Sequence, residues 1–384
     1  MNASRFISRR LRFEGKIAVV STAVSFFVMI LAVAISSGFR RELRSGISAV
    51  SGDIQLTAPD LNYLNETAPI LLDQAWRDDV ESLDGVRRMT PVVYRAGIVK
   101  SGDDIHGVLF KGVPDGPDSL GVRIPSRLAR MLSLEKGDRL LAYFIGERVK
   151  VRNFRVDDIY PAILSGDENL VVFAGLEDMQ RLNGWDSGEV SAIELDLKDK
   201  GNAALEDMTG RIGTIVLLMT PEDEDTVLAT SALDKYPQIF SWLDLIDLNV
   251  VIILILMTVV AGFNMISGLL ILLFRNISTI GTLKSLGMTD RAVSEVFLRA
   301  ASRIVLKGML LGNVAALLFC AVQGTTRLIR LNPENYFVSF VPVHVDLLAV
   351  VAADLASYAV IMLLLLIPGL FVSRVDPART VRAR

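Results

Sequence analysis

The residues that could do chemistry in this sequence are few and lie far apart. Its two histidines, His106 and His344, are separated by most of the chain, and its single cysteine, Cys320, lies inside an apolar run. This pattern argues against a His-rich metal site and excludes an intrachain disulfide. Ser133 and Lys136 match S-x-x-K without its partner motifs, and the sequence contains no G-x-x-x-x-G-K-[ST], H-E-x-x-H or G-x-S-x-G motif. We therefore predict no catalytic residue, no metal site and no cofactor, and interpret the chain as non-enzymatic.

A second set of polar residues is unusual because it interrupts long apolar runs. Asn264 and Ser267 lie three residues apart, on one helix face, in the run 248–274, and Asp354 lies in the run 347–372. Polar groups in such runs are costly unless they find a partner. For Asn264 and Ser267 two interpretations stay open, namely hydrogen bonding to a neighbouring helix and lining of a substrate path between protomers. For Asp354 we expect structural pairing with a partner helix in preference to transport chemistry.

The apolar runs themselves are long enough to cross a membrane, which requires about 20 residues. We predict a first span with its extension at residues 17–44, and three further spans at 248–274, 304–322 and 347–372. In the third span Gly308 and Gly312 form a GxxxG pattern, which lets helix backbones approach closely. The chain is 51% hydrophobic, which is little above the average for soluble proteins, so a polar domain must accompany these spans.

That polar domain is expected between the first and second spans, at residues 45–240. Short β-rich runs such as 91–100, 106–113 and 191–197 alternate there with Gly, Asp and Pro, and helix-like segments occur at 126–134 and 176–184. The predicted fold class is therefore a membrane protein with four transmembrane helices and a large α+β domain between helices one and two.

The distribution of charge predicts how the chain is oriented. Segment 1–16 is basic and amphipathic, the C-terminal tail and the 275–303 loop are rich in Lys and Arg, and the 222–247 flank is acidic. Basic segments stay in the cytosol, so both termini are expected there and the 45–240 domain outside. The first apolar run is longer than a secretory signal, which favours an uncleaved span over a cleaved signal peptide. A formal net charge of −3 argues against a nucleic-acid partner.

Between the second and third spans, residues 276–288 change character completely. Ile277, Ile280 and Leu283 recur at helical spacing, Gly287 follows at the position of a helix C-cap, and Thr289 supplies an N-cap for the next helix. This pattern predicts a short amphipathic helix on the cytosolic side, held between two spans, which would act as a mechanical handle.

These motifs resemble the permease subunits of the MacB-fold ABC transporters, a group that includes the lipoprotein-releasing (Lol) permeases and FtsX. The family motif Phe-Asn-x-x-Ser is read at 263–267, and Ile-Gly-x-Leu-Lys-x-Leu-Gly at 280–287. Further similarities lie at 6–11, at 38–43, in Leu-x-x-Gly-Asp at 134–138 and in Leu-Glu-Asp-x-x-x-Leu-x-Gly at 176–184, so the resemblance covers essentially the whole chain.

The resemblance implies that 276–288 is a coupling helix seated in a groove of a separate cytosolic ATPase. Its residues in this sequence are Ile277, Ile280, Gly281, Leu283, Lys284, Ser285, Leu286 and Gly287. Asn264, Ser267, Gly308, Gly312 and Asp354 are predicted to form the membrane interface or substrate path. The extracytoplasmic domain is expected to be MacB-like, and residues 241–384 to form an FtsX-like permease domain.

The function implied is that of a non-catalytic permease subunit in the bacterial inner membrane, with its large domain in the periplasm. Expected partners are the ATPase, a second permease chain in a homodimer or heterodimer, membrane lipid, a lipoprotein substrate and a periplasmic carrier. The alternatives are an FtsX-like activator of a cell-wall hydrolase or a MacB-like efflux permease. From another class, the chain could be a membrane-anchored sensor, which would not co-purify with an ATPase.

Overall fold

A computed structural model describes residues 16–59, 69–101, 104–146, 148–160, 170–221, 226–332 and 336–369. The predicted basic N-terminal segment (apart from Lys16), the acidic residues 222–225 and the basic tail therefore lie outside the described residues. The chain divides into two compact units. We call Met1–Arg40, Trp242–Ile329 and Val341–Arg384 the helical unit, and Arg41–Ser241 with Arg330–Phe340 the sheet unit.

The long apolar runs form long helices. Four long helices contain the apolar runs: α1 (Lys16–Ser51), α7 (Pro237–Arg275), α9 (Asp290–Thr326) and α10 (Leu347–Leu364). The short helix α8 (Ile277–Ser285) lies between α7 and α9, and the short α11 (Leu366–Gly369) follows α10. In the described residues four helical segments are long and apolar enough to span a membrane: α1, α7, α9 and Leu347–Pro368. The helix α7 extends through the polar residues before its apolar run, because no proline follows Pro237 before Arg275.

The sheet unit contains eleven strands among its described residues. They are β1 (Ile54–Thr57), β2 (Ile70–Leu71), β3 (Val86–Ser101), β4 (Asp104–Val113), β5 (Gly121–Pro125), β6 (Arg139–Phe144), β7 (Lys150–Tyr160), β8 (Val171–Gly175), β9 (Glu189–Val190), β10 (Ala192–Leu197) and β11 (Leu228–Ser231). Its helices are α2 (Arg77–Glu81), α3 (Ser126–Met131), α4 (Leu176–Asn183), α5 (Asn202–Met219) and α6 (Ala232–Lys235).

Nine of these strands form one mixed sheet in the order β11-β1-β10-β3-β4-β8-β5-β7-β6, and β3 also pairs with β6. That extra pairing closes six strands into a ring, because Val99 of β3 lies opposite both His106 of β4 and Ala142 of β6. Aromatic side chains pack where the ring closes: a Cβ added at Gly97 would lie only 2.9 Å from the Phe144 ring. The ring therefore depends on the absence of a side chain at that position.

The hydrophobic core of the sheet unit includes residues from the six-stranded ring and from the strands outside it. Phe110, Phe144 and Phe154 pack against one another with centroid separations of 4.9, 5.2 and 6.3 Å. The helix α5, which was not anticipated from the sequence, contributes the buried residues Leu205, Met208, Ile212 and Val216. The predicted fold, four long apolar helices with a mixed α+β domain between the first and second, is thus confirmed. Membrane insertion stays a prediction.

Candidate functional site

The predicted coupling segment contains the helix α8. A single residue, Asn276, separates it from α7. The Asn276 Nδ2 donates a hydrogen bond to the Leu272 carbonyl at 2.8 Å, and the Asn276 N–H reaches the same carbonyl at 3.2 Å. These bonds satisfy a carbonyl at the end of α7. The long helix therefore passes into the short one through one well-bonded residue.

The other end of α8 is capped by a Schellman motif. The Gly287 N–H donates to the Lys284 carbonyl and the Met288 N–H to the Leu283 carbonyl, both at 3.0 Å. Gly287 has a φ of +87°, the left-handed conformation that this motif requires and that glycine adopts without strain. Immediately afterwards the Thr289 Oγ1 accepts from the Ala292 N–H at 3.4 Å and starts α9. Both predicted caps are present.

One face of α8 is buried in the helical unit. Ile280 is 1% exposed and Gly281 is buried. Ile280 belongs to a cluster with Val293 and Phe297 of α9, and Leu283 packs against that cluster. The sequence pattern that predicts an amphipathic helix therefore identifies its inner face, and Leu283 contributes to packing rather than to the free surface.

The two ends of α8 are open. Ile277 at its start is 37% exposed, and Leu286 just past its end is 79% exposed, with Ser285 exposed beside it. The Ser285 Oγ donates to the Thr282 carbonyl at 2.8 Å within the same helix. Leu286 therefore gives the end of this short capped helix one large apolar contact point.

Lys284 links α8 to α9 rather than extending into solvent. Its side chain is only 8% exposed, and its Nζ lies 2.8 Å from the Asp290 Oδ1. Asp290 is the first residue of α9, where a carboxylate also interacts favourably with the helix dipole. Together with the apolar cluster, this ion pair holds α8 against the start of α9.

The predicted interface residues of the helical unit lie on several different contacts. The Asn264 Nδ2 of α7 donates to the Ser21 Oγ of α1, so Asn264 bonds to a neighbouring helix. Ser267 is exposed. Thr258 of α7 and Ser357 of α10, which the sequence did not single out, share a hydrogen bond of 3.0 Å.

Gly308 and Gly312 lie where α9 meets α1. A Cβ at Gly308 would be 2.7 Å from the Thr22 Cβ, and one at Gly312 would be 2.9 Å from the Phe26 Cβ and closer still to the Ala23 carbonyl oxygen. Neither position can hold a side chain without movement of the first helix. The GxxxG pattern therefore marks a close helix approach, as its spacing predicts.

Asp354 of α10 is 9% exposed and pairs with a neighbouring helix. The Asn313 Nδ2 of α9 donates to the Asp354 Oδ2. The other Asp354 oxygen, Oδ1, and the Asn313 amide oxygen, Oδ1, are buried without a partner among the described residues. The structure thus brings Asp354 to Asn313, which sequence reasoning missed because an asparagine in an apolar run carries no sign of which helix it faces.

Metal chemistry finds no support in the part of the chain that the structure describes. No group of three or more His, Cys, Asp or Glu side chains there could hold a metal ion. Cys320 of α9 is buried and free, as expected for a small apolar residue. The arrangement is one of packing, capping, hydrogen bonds between helices and the Lys284–Asp290 ion pair.

Residues 251–377 match the family described as FtsX-like permease C-terminal. This stretch contains α8, α9, α10 and most of α7. These helices therefore form an FtsX-like permease domain.

Over nearly its whole length the chain is similar to Lol transmembrane proteins. It is 22% identical to the lipoprotein-releasing system transmembrane protein LolC of Xylella fastidiosa, with 97% of this chain and 94% of the relative covered. The LolC of Neisseria meningitidis serogroup B is 21% identical at the same coverage. The lipoprotein-releasing system transmembrane protein LolE of Haemophilus influenzae is 22% identical, with 95% and 93% covered. The resemblance predicted from the motifs is thus confirmed.

Two solved structures are similar to part of the chain. The match to the extracellular domain of the noncanonic ABC-type transporter YknZ covers 46% of this chain and 99% of the YknZ structure, at 11% identity and a TM-score of 0.31. The periplasmic region of MacB from Actinobacillus actinomycetemcomitans covers 51% and 95%, also at 11% identity and 0.31. A likeness this weak carries no inference.

Proposed function

We propose that the chain is the permease subunit of an ABC transporter that releases lipoproteins from the bacterial inner membrane to a periplasmic carrier. The observation that carries the proposal is the capped helix α8, held between two apolar helices within the FtsX-like stretch. The ATP is hydrolysed by a separate cytosolic chain, and this chain supplies the moving part. Its similarity to LolC and LolE along 95–97% of its length supports lipoprotein as cargo.

In this proposal α8 receives the thrust of the ATPase. Its exposed surface, which includes Ile277 at the start and Leu286 just past the end, seats in a groove of that partner, while its buried face transmits the displacement. Ile280 packs against α9, and the Lys284–Asp290 ion pair ties the two helices together. A rigid cap and a packed face are what a transmitted push requires, because a slack loop would absorb it.

The proposed topology defines the path of the displacement, from the cytosolic α8 to the periplasmic sheet unit. Both termini and α8 lie in the cytosol, and the sheet unit lies in the periplasm, as the distribution of basic residues predicts. The displacement travels along α7 and α9, and no ion or solute has to cross the bilayer. Lifting a lipid anchor out of the outer leaflet removes apolar surface from lipid, so the carrier must receive it in an apolar site.

The partners follow from this mechanism. Work on a substrate between two moving bundles requires a second permease chain, in a homodimer or a heterodimer, together with membrane lipid around both. Asn264, Ser267, Gly308, Gly312 and Asp354 are assigned to the membrane interface. Within it, Gly308, Gly312 and Asp354 stabilise helix packing, whereas the exposed Ser267 is the candidate for the substrate path.

The exposed leucine of the coupling segment provides a direct test. Leu286→Asp places a charge on the docking face without touching the buried cluster, and we expect recovery of the ATPase with the affinity-tagged full chain to fall about tenfold, as for loss of an interface hot spot. The matched control is Leu328→Asp, since Leu328 is 77% exposed but follows the opposite end of α9. Wild-type recovery with Leu286→Asp would contradict docking at α8. Failure of the unmodified chain to recruit any ABC ATPase would favour the sensor instead.

The topology is tested separately. A reporter that is active only outside the cytosol, fused after Gly137 in the turn before β6, should give signal, and the same reporter fused at the C-terminus should not. A silent fusion at Gly137 would overturn the orientation, and with it the periplasmic assignment of the sheet unit.

A further inference from the structure

The sheet unit contains a cavity of about 470 Å³ that the permease function does not use. Its floor is one face of the strands β3, β4, β5, β8 and β10, and its wall is formed by the last turns of α1 around Ser45 and Ser48. The volume falls within the ~300–1,000 Å³ typical of sites for small ligands. Charged side chains of both signs line it, and the question is which of them are already satisfied.

The deepest charges in the cavity neutralise each other. The Lys111 Nζ lies 2.7 Å from the Glu194 Oε2 and donates to the Val50 carbonyl at 2.8 Å, with both side chains buried. The other Glu194 oxygen, Oε1, accepts from the Tyr94 hydroxyl and from the Gln55 Nε2. Every Glu194 oxygen therefore has a donor, and this pair has no need of a ligand.

Two further cations of the cavity are also matched by carboxylates. The Arg88 guanidinium lies 3.2 Å from the Asp196 Oδ2, and the Lys200 Nζ lies 3.1 Å from the Asp53 Oδ2 while donating to the Ser48 Oγ at 2.7 Å. These contacts leave Asp196 and Asp53 paired. The acidic groups of the floor are thus occupied.

Arg123 differs from the other cations. Its guanidinium lies 5.6 Å from the centre of the Phe173 ring and donates to the Asp115 backbone carbonyl at 3.2 Å. Among the residues that the structure describes it forms no ion pair with a carboxylate. The carboxylate of Asp115, which also lines the cavity, lies 3.9 Å from the Arg88 guanidinium instead. Among the described residues of the lining, Arg123 is therefore a cation without a carboxylate in direct contact, and it is positioned against an aromatic ring.

We propose that this cavity binds a phosphate ester, with Arg123 as the anchor of the anion. A guanidinium offers paired donors that match phosphate oxygens, and the hydroxyls of Ser45 and Thr90 at the same cavity can donate to the remaining oxygens. The volume exceeds that of a bare phosphate, so the organic part of the ester has room beside Phe173. The ester could be a soluble phosphate metabolite or the headgroup of a phospholipid, and both share this chemistry.

The test measures binding to the purified full chain in detergent by isothermal titration calorimetry. The probes are glycerol phosphate, inorganic phosphate, the soluble lipid dihexanoyl-phosphatidylglycerol, and succinate as a carboxylate of similar size. We expect saturable binding of glycerol phosphate that weakens as salt is added, and much weaker binding of succinate. Tighter binding of the short-chain lipid would assign the site to a headgroup, and tighter binding of glycerol phosphate to a soluble ester; either result supports the proposal.

Variants make the assignment specific to Arg123. Arg123→Gln should weaken glycerol phosphate binding about tenfold or more, and Arg123→Lys, which keeps the charge but loses the paired donors, should weaken it less. The control is Arg152→Gln, because Arg152 is an exposed strand arginine that does not line the cavity. Tryptophan fluorescence in a Trp242→Phe background, where Trp185 and the fully buried Trp76 of the sheet unit remain, verifies that each variant is folded.

Four results would overturn the proposal. They are the absence of saturable binding of any phosphate probe to the wild type, equal affinity for succinate, unchanged binding by Arg123→Gln, and equal losses in Arg123→Gln and Arg152→Gln. None of them bears on α8, so this site and the permease function fail independently.

Discussion

The helical unit and the sheet unit bury polar side chains by different means. In the helical unit the long helix α7 bonds to its neighbours through neutral groups, such as the hydroxyl pair of Thr258 and Ser357, whereas the buried cation Lys284 belongs to the short helix α8. In the sheet unit the deepest polar contact is an ion pair, Lys111 with Glu194, surrounded by further donors. Burying a charge between apolar helices in lipid costs free energy, whereas a water-soluble domain can surround a buried charge with hydrogen bonds.

The outer surfaces differ in the same sense. Helix residues such as Phe263 and Leu318 are each 63% exposed, which suits a surface solvated by lipid. In the sheet unit exposed ion pairs such as Lys198 with Asp84 are found instead, as expected for water. The two units therefore differ both in their buried polar contacts and in their exposed surfaces, and variants of each unit can test this difference.

The largest effect is expected from breaking the buried ion pair. Lys111→Met removes the cation and leaves Glu194 buried with neutral donors only, so the sheet unit should lose about 3–5 kcal/mol of its free energy of unfolding. Unfolding is followed by tryptophan fluorescence in a Trp242→Phe background, where Trp76 and Trp185 of the sheet unit are the remaining tryptophans. The matched control is Lys198→Met, whose exposed pair should contribute no more than about 1 kcal/mol. Similar losses in both variants would mean that burial of the pair has no energetic significance.

A smaller loss is expected where the helical unit relies on close approach rather than on charge. Gly312→Val forces side-chain atoms toward the Ala23 carbonyl and should destabilise the helical unit by about 1–3 kcal/mol. The measurement is thermal unfolding in detergent, reported by reaction of Cys320, the single cysteine, with a thiol-reactive dye. Ala315→Val, on the exposed side of the same helix, should leave the midpoint almost unchanged. An unchanged midpoint for Gly312→Val would show that α9 and α1 are not tightly packed.

The free energy of unfolding of the sheet unit should also depend on alkaline pH, because it contains the buried Lys111. Burial lowers the pKa of Lys111 from 10.5, against the opposing effect of Glu194. Between that lowered pKa and 10.5 the unfolded state binds more protons than the folded state, so the free energy of unfolding rises with pH, by at most ~1.4 kcal/mol per pH unit for one group. The gain should be larger in the wild type than in Lys111→Met, which keeps Lys235, a second lysine whose pKa is lowered by burial; the readout is the same tryptophan fluorescence. Parallel pH profiles of the two proteins would contradict it.

Local features of both units could be predicted from the sequence because neighbouring residues encode them. The left-handed Gly287 and the capping Thr289 are such features, and the apolar runs required only their length. The helix α4 likewise ends at Gly184, with φ +78°, at the end of the predicted segment 176–184. Contacts within a few residues leave a direct trace in the sequence.

Contacts between distant strands and helices left no such trace. Along β10 the residues Glu194 and Asp196 alternate with Ile193 and Leu195, a pattern typical of a solvated strand face. That face is in fact covered, and Glu194 meets Lys111 from another strand. The pairing of β3 with β6, the partner of Asp354 and the whole cavity are invisible for the same reason. The assignment of α8 to an ATPase stays a prediction.

The smallest effect should come from the neutral hydrogen bond between helices, and it gives the comparison its sharpest form. Thr258→Val is isosteric and removes the hydroxyl that bonds to Ser357 and that also lies 3.5 Å from the Met29 sulfur, so the helical unit should lose roughly 0.6 kcal/mol and no more than ~1.7, the range measured for such bonds in membranes. The readout is again the reaction of Cys320 with the dye. The double variant Thr258→Val with Ser357→Ala should lose less than the sum of the two single losses, because the shared hydrogen bond cannot be removed twice. A loss that rivals Lys111→Met would mean that the helical unit depends on buried polar contacts as strongly as the sheet unit does, and the contrast between them would disappear.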